Sequence, residues 1–159
     1  MCEYCGCQQI AVIDELTREH DAVVALIARV RELLAADDVD GAAAVTRQMA
    51  VVLAPHTLVE EDGLFPELAD EFPEHVEALR AEHRVVEAVL DEASRGTPTD
   101  PTWPARLSDA LHLLRDHILK EQDGVFPAAL TSLDADQWER VEVVRERAGS
   151  PLATPVTNS

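Results

Sequence analysis

The sequence predicts an all-α fold, an antiparallel four-helix bundle with a short fifth helix at the C-terminus, from three observations. Apolar residues recur every three or four positions through four long segments, the stripe of an amphipathic helix, and no segment alternates with the two-residue period of a strand. Clusters of Gly, Pro and Asp separate those segments. The chain also repeats itself. His56-Thr57-Leu58-Val59-Glu60-Glu61-Asp62-Gly63-Leu64-Phe65-Pro66 returns as His117-Ile118-Leu119-Lys120-Glu121-Gln122-Asp123-Gly124-Val125-Phe126-Pro127, a pattern H-x-L-x-E-x-D-G-x-F-P with seven of eleven positions identical. A second echo precedes each copy, Leu16-Thr17-Arg18-Glu19-His20-Asp21-Ala22-Val23 and Leu79-Arg80-Ala81-Glu82-His83-Arg84-Val85-Val86, or L-x-x-E-H-x-x-V.

The first segment spans about Ile10 to Ala36, with Ile13, Leu16, Val23, Ile27, Val30 and Leu34 on its stripe and His20 among them. Asp37-Asp38-Val39-Asp40-Gly41 supplies a turn, with Asp40 the expected N-cap of a second helix over about Ala42 to Glu61. Along that helix Val45, Met49 and Val52 lead to His56 and Glu60, and Pro55 is expected to bend the axis. Asp62-Gly63 should loosen the helix and Phe65-Pro66 end or restart it, leaving Phe65 free to cover what lies beneath. Pro73 suits the first turn of a third helix, which runs to about Ser94 with Val76, Leu79, His83, Val86 and Leu90 on one face. The break from Arg95 to Pro101 divides two bundle helices, so it is read as a loop and not a domain boundary. A fourth helix, about Pro104 to Gln122, places Leu107, Ala110 and Leu114 on the face of His117 and Glu121. Asp134 with Gln137 three residues on is a capping-box variant that opens the fifth helix, ending near Gly149. The expected organisation is a Cys-containing N-terminal segment at 1–9, one bundle domain at 10–148 and a disordered tail at 149–159.

At 159 residues the chain is long enough to bury a core without disulfides. A formal charge of -18, from 31 acidic against 13 basic residues, argues against nucleic acid and anionic membrane as partners, since both demand clustered Lys and Arg. No apolar run approaches the roughly 20 residues that span a bilayer, and Met1-Cys2-Glu3-Tyr4 lacks the basic and apolar regions of a secretory signal. The expected location is the cytoplasm. A single lysine, Lys120, amid abundant Ala, Val, Arg, Asp and Glu, fits the usage of a GC-rich bacterial genome.

All three cysteines, Cys2, Cys5 and Cys7, fall in the first seven residues. The C-x-x-C-x-C spacing suits a second metal or redox site, although zinc and iron–sulfur sites ordinarily take four ligands. A partial metal site, a group of redox thiols, a site shared with a neighbour and incidental thiols on a mobile terminus all stay open.

The repeat carries the chemistry. Residues four apart on a helix share a face, so His56 with Glu60 and His117 with Glu121 each present an imidazole and a carboxylate side by side. A single His on an apolar face is ordinarily a core histidine with its hydrogen bonds satisfied, but four in matched positions with two carboxylates would gather charge costing several kcal/mol per ion to bury. Two divalent or trivalent cations remove that cost, with carboxylates bridging and imidazoles capping the two ends, as in di-iron bundles. His75 and His112 serve as internal controls: they lie about 80° and about 140° around the helix from His83 and His117, and are expected to face solvent.

These residues make the chain resemble the hemerythrin-like, HHE cation-binding family over roughly residues 10 to 145, through a lone His and an H-x-x-x-E, each present twice. The resemblance implies that His20, His56, His83 and His117 are iron ligands, that Glu60 and Glu121 bridge, and that the cofactor is two iron ions with an oxo or hydroxo bridge. It also implies a ligand drawn from peroxide, dioxygen and nitric oxide. Oxygen-carrying members have a further His one turn before the position of His83, where this chain has Leu79. With four histidines instead of five, a bridged pair of six-coordinate irons keeps two open positions, one on each metal. Glu61, Glu19 and Glu82 are candidates for a further ligand, but their angular offset from the ligand stripes makes this the lesser reading.

Two kinds of function fit. The first is a non-haem di-iron protein that binds and turns over a small oxidant in a catalase-like activity, peroxide being favoured because two adjacent open positions suit its two oxygens. The second is a non-catalytic protein that binds or senses oxygen, nitric oxide or iron. A structural zinc bundle is a third class, with no use for bridging carboxylates and open positions. The sequence leaves the oligomeric state open.

Overall fold

The computed structural model describes residues 7–152, and every element among them is helical. In chain order these are α1 (Cys7–Ala35), α2 (Val39–Leu58), a π-helical turn (Val59–Leu64), α3 (Phe65–Leu68), α4 (Pro73–Asp91), α5 (Trp103–Lys120), a second π-helical turn (Glu121–Val125), α6 (Phe126–Ser132) and α7 (Ala135–Ala148). Among the described residues no helix is long and apolar enough to cross a membrane. Cys2 and Cys5, the side chain of Cys7 and the tail from 153 onward lie outside the described residues.

The short connection after α1 folds α2 back against it, and α4 and α5 form a second hairpin. The hairpins meet through α2 against α4 and α1 against α5, which gives the expected four-helix bundle with α7 as its short fifth member. The start of α2 corrects one expectation. Its N-cap is Asp38, whose side chain accepts the Gly41 N–H at 2.8 Å, and Asp40 lies inside the first turn. Asp37 takes the left-handed φ of 59°, so the reversal is complete one residue early and Asp38 is left to cap. The predicted capping box of α7 is present, with Asp134 and Gln137 exchanging hydrogen bonds at 2.9 Å.

The D-G-x-F-P stretches widen the helix where the sequence suggested a break. Phe65 N–H donates to the Glu60 carbonyl and Phe126 N–H to the Glu121 carbonyl, five residues back instead of four. Pro66 and Pro127 supply no N–H to the carbonyl four residues earlier and their rings crowd it, which a wider turn accommodates. The chain therefore continues into α3 and α6, and each π turn falls at a Glu of the repeated pattern.

Two apolar clusters fill the bundle, and a polar layer parts them. Val23, Ile27, Met49, Val86, Leu107 and Leu114 belong to one; Leu16, Val59, Leu64, Phe65, Leu79 and Phe126 belong to the other. On α1 and α4 the switch from one cluster to the other falls at the lone histidines: Leu16, His20, Val23 on α1 and Leu79, His83, Val86 on α4.

The fifth helix breaks the internal symmetry. It covers the first π turn, where a Cβ on Gly63 would lie 3.3 Å from Val144 Cβ, whereas the matching Gly124 has nothing within 4 Å. The uncovered side borders an apolar cavity of about 420 Å3 lined by Leu68, Phe72, Val76, Leu79, Gly124 and Val125. Equal substitutions should therefore have unequal effects. Gly63→Leu is expected to cost about 1–3 kcal/mol by forcing α7 outward, and Gly124→Leu to be near neutral or mildly stabilising through helix propensity; thermal melting of the two variants checks this.

Candidate metal centre

Six side chains, from four helices and the π-helical turns that continue two of them, meet in the polar layer, all buried: His20, His56, Glu60, His83, His117 and Glu121. These are the residues that the repeat singled out, and they form two groups that share both carboxylates. Ligand atoms of His20, His56, Glu60 and Glu121 lie within 4.8 Å of one another, as do those of Glu60, His83, His117 and Glu121. Each carboxylate divides its oxygens between the groups. Glu60 Oε2 is 3.0 Å from His56 Nε2 and 3.8 Å from His20 Nε2, while its Oε1 is 3.1 Å from His83 Nε2. Glu121 Oε1 is 2.9 Å from His20 Nε2 and its Oε2 is 3.1 Å from His117 Nε2.

The inward atoms make a poor hydrogen-bond network and a good ligand set. All four oxygens of Glu60 and Glu121, with Nε2 of His20 and His117, are buried without a hydrogen-bond partner. Buried orphans of this kind are rare in folded proteins. Donor atoms about 2.0–2.2 Å from one cation in an octahedral array sit about 3 Å apart, close to the shorter spacings here. Two imidazole nitrogens and two carboxylate oxygens per group suit a divalent or trivalent transition metal.

Carboxylates outside this layer orient the imidazoles. His56 Nδ1 donates to Glu19 at 2.8 Å, His83 Nδ1 to Glu61 at 2.6 Å and His117 Nδ1 to Glu82 at 2.8 Å. An ionised carboxylate only accepts, so these contacts put the proton on Nδ1 and leave Nε2 to face the centre. Glu19, Glu61 and Glu82 thus join neither donor group; they are supports. Each is backed by a cation: Glu19 by Arg145, Glu61 by Arg80 and Arg84, and Glu82 by Lys120. The exception is His20, whose Nδ1 has no partner among the described residues. Gln122 stands in the second repeat where the first has Glu61.

Each repeat also covers the lone histidine of the other. Phe65 stacks on His83 with ring centroids 5.8 Å apart, and Phe126 on His20 at 5.4 Å. The wide π turns carry these rings over the imidazoles, the covering role expected of Phe65. His75 and His112 are exposed, as their helix angles required. Glu19 and Glu82 carried a signal, being the Glu of L-x-x-E-H in both repeats. Arg145 carried none, since it lies outside the repeat.

The buried carboxylates favour protonated imidazoles around them. Burial opposes the charge on His56, but Glu60 beside it and the hydrogen bond to Glu19 push its pKa up to about 10. Burial likewise opposes His117, which Glu121 brings up to about 9. Burial also works against Glu60, yet the positive His56 beside it holds its carboxyl well below the ordinary range.

The family model of the hemerythrin HHE cation binding domain matches residues 11–129, a stretch that contains all six inward residues and stops before α7. No curated protein and no solved structure matches the chain.

The sign of the pH dependence follows from the raised histidine values. Stabilisation of the metal-free fold by His56 and His117 is fully present below the ordinary histidine value of about 6.5 and is lost as pH rises through about 9 to 10. Cation uptake requires neutral imidazoles, so metal affinity should rise over the same interval. Melting of chelator-treated protein across pH 6 to 10, beside metal titrations at each pH, is expected to show these opposite trends.

Proposed function

This chain belongs to the hemerythrin HHE cation-binding family, and on that premise we propose that it is a non-haem di-iron protein that binds and turns over a small oxidant, peroxide being favoured. His20 and His56 would hold one ion and His83 and His117 the other, with Glu60 and Glu121 shared between them, and the cofactor would be two iron ions with an oxo or hydroxo bridge. The observation that carries this proposal is the division of both carboxylates between two histidine pairs. The functional unit is taken as residues 10–148, because α7 reaches the carboxylate behind His56.

When bound, an iron pair supplies Lewis acidity and one-electron redox chemistry. The protein's part is to fix and shield it. Glu19, Glu61 and Glu82 hold three imidazoles with Nε2 inward, and Phe65 and Phe126 lie over two of them and limit bulk water. Leu79, one turn before His83, is buried and offers no ligand atom. With four protein donors per group, a six-coordinate ion would keep room for a small guest, and two such ions side by side would suit the two oxygens of peroxide. A second reading, binding or sensing of dioxygen or nitric oxide without turnover, draws support from the mainly apolar cavity lined by Leu79, Val76 and Val125, a wall that suits uncharged diatomics.

Protein purified from iron-replete cells is expected to carry two iron atoms per chain. Ala at His20, His56, His83 or His117 should reduce iron content and lower the melting temperature, since metal binding is coupled to folding, whereas Ala at His75 or His112 should do neither. One metal per chain at full occupancy, or stoichiometric zinc without iron uptake, would overturn the proposal.

Peroxide consumption separates the two readings. Iron-loaded Leu79→His, if folded despite a cost of about 1–3 kcal/mol for a misplaced buried imidazole, is expected to consume peroxide more slowly at unchanged iron content. An equal rate would contradict the open-position mechanism, and no turnover in the parent would favour the binding or sensing role.

A further inference from the structure

We infer that Arg145 is a positioning residue for the metal centre, holding His56 through Glu19, so that one of the two cation positions depends on a helix outside the residues matched to the family. The inference builds on the two-metal proposal above.

Arg145 is charged yet sits on the packed face of α7 at 5% exposure, among Trp138, Val141 and Val144. An apolar residue there would complete the face without desolvating a charge, so its presence calls for a partner that needs it. That partner is Glu19, at 1% exposure. Arg145 Nη1 lies 3.1 Å from Glu19 Oε1 and 3.0 Å from Oε2, and Oε1 also accepts the His56 Nδ1–H at 2.8 Å. The second guanidinium nitrogen donates to the Gly149 carbonyl, which ties the arginine to the end of its own helix. The chain of contacts runs from the α7 terminus through Arg145 and Glu19 to His56, whose Nε2 is 3.0 Å from Glu60. The other arginines of α7 make no such contact: Arg140 pairs with Glu67 at the surface, and Arg147 is exposed.

The opposite position needs no help from α7. His83 and His117 lean on Glu61 and Glu82, whose cations Arg80, Arg84 and Lys120 all fall within residues 11–129. The His20–His56 position has a single anchored imidazole, since His20 Nδ1 has no partner among the described residues. Removing Arg145 leaves Glu19 a buried charge whose one remaining partner is His56 and whose own orientation nothing fixes, and should loosen that position alone.

The test uses the full chain, iron-loaded and reduced, and follows release of its two irons to a ferrous chelator such as bathophenanthroline disulfonate. Arg145→Met keeps length and apolar packing, and is expected to speed release of one iron by about 10–100-fold, the usual cost of a lost outer-shell partner, while the other leaves at the parental rate. Arg145→Lys keeps the charge beside Glu19 and should stay closer to the parent than to Arg145→Met. Val144→Ala loosens α7 over Gly63 without touching the ion pair, and should lower the melting temperature while leaving both release rates parental. If Arg145→Met does not fold, Arg145→Gln, which is too short to hold Glu19, is read in the same way. Parental release of both irons from folded Arg145→Met or Arg145→Gln would overturn the inference. Equal acceleration of both irons in these variants and in Val144→Ala would also overturn it, assigning α7 a covering role only. A parent that never holds two metals fails at the earlier proposal and takes this inference with it.

Discussion

Two carboxylates with no solvent exposure, Glu60 and Glu121, face four buried imidazoles in the middle of the bundle, and the rest of the structure answers to that concentration of charge. Burying ions is worthwhile only where each finds a counter-charge and its hydrogen bonds. The protein meets this demand in layers. The two shared carboxylates face histidines, three histidines face outer carboxylates, and each outer carboxylate faces an arginine or lysine nearer the surface. The apolar clusters on either side keep water from screening those contacts, which makes each stronger than it would be at the surface.

Duplication supplies this arrangement economically, because each repeat completes the other. A repeat contributes one histidine pair and one shared carboxylate, and its aromatic lid closes over the lone histidine of its mate. The repeats have nevertheless diverged where they meet their surroundings. Gly63 lies under α7 while Gly124 borders an open apolar cavity; Glu61 supports His83 while Gln122, its counterpart, leaves His20 Nδ1 without a partner. Lys120 provides from within the second repeat the cation that the first draws from α7. The two donor groups of this frame are therefore inequivalent in their surroundings.

Much of this was legible in the sequence because helical periodicity and internal repetition are both local signals. The stripes on α1, α2, α4 and α5 located the helices, and the matched His and Glu positions located the inward side chains, with His75 and His112 correctly placed outside. What escaped depended on long-range or fine geometric facts. The π turns follow from how Pro66 and Pro127 are accommodated, a choice between two hydrogen-bond ladders that pattern alone does not make. Asp38 and Asp40 are equally good capping residues, and only the left-handed Asp37 decides between them. Glu19 and Glu82 were visible as repeated residues, but support and ligation look alike until the bundle closes. Arg145 is separated from Glu19 by 126 residues and sits in a helix without a counterpart, so nothing local marked it.

The central claim is that both carboxylates join two cations into one centre, and the magnetic ground state of the oxidised protein tests it most directly. Applied-field Mössbauer spectra of protein loaded with isotopically enriched iron should show a coupled ferric pair with a diamagnetic ground state, because bridging carboxylates and an oxo or hydroxo bridge hold the ions close enough to exchange spin. Spectra of magnetically isolated high-spin ferric ions at full loading would contradict a bridged centre and leave Glu60 and Glu121 as ligands of separate sites.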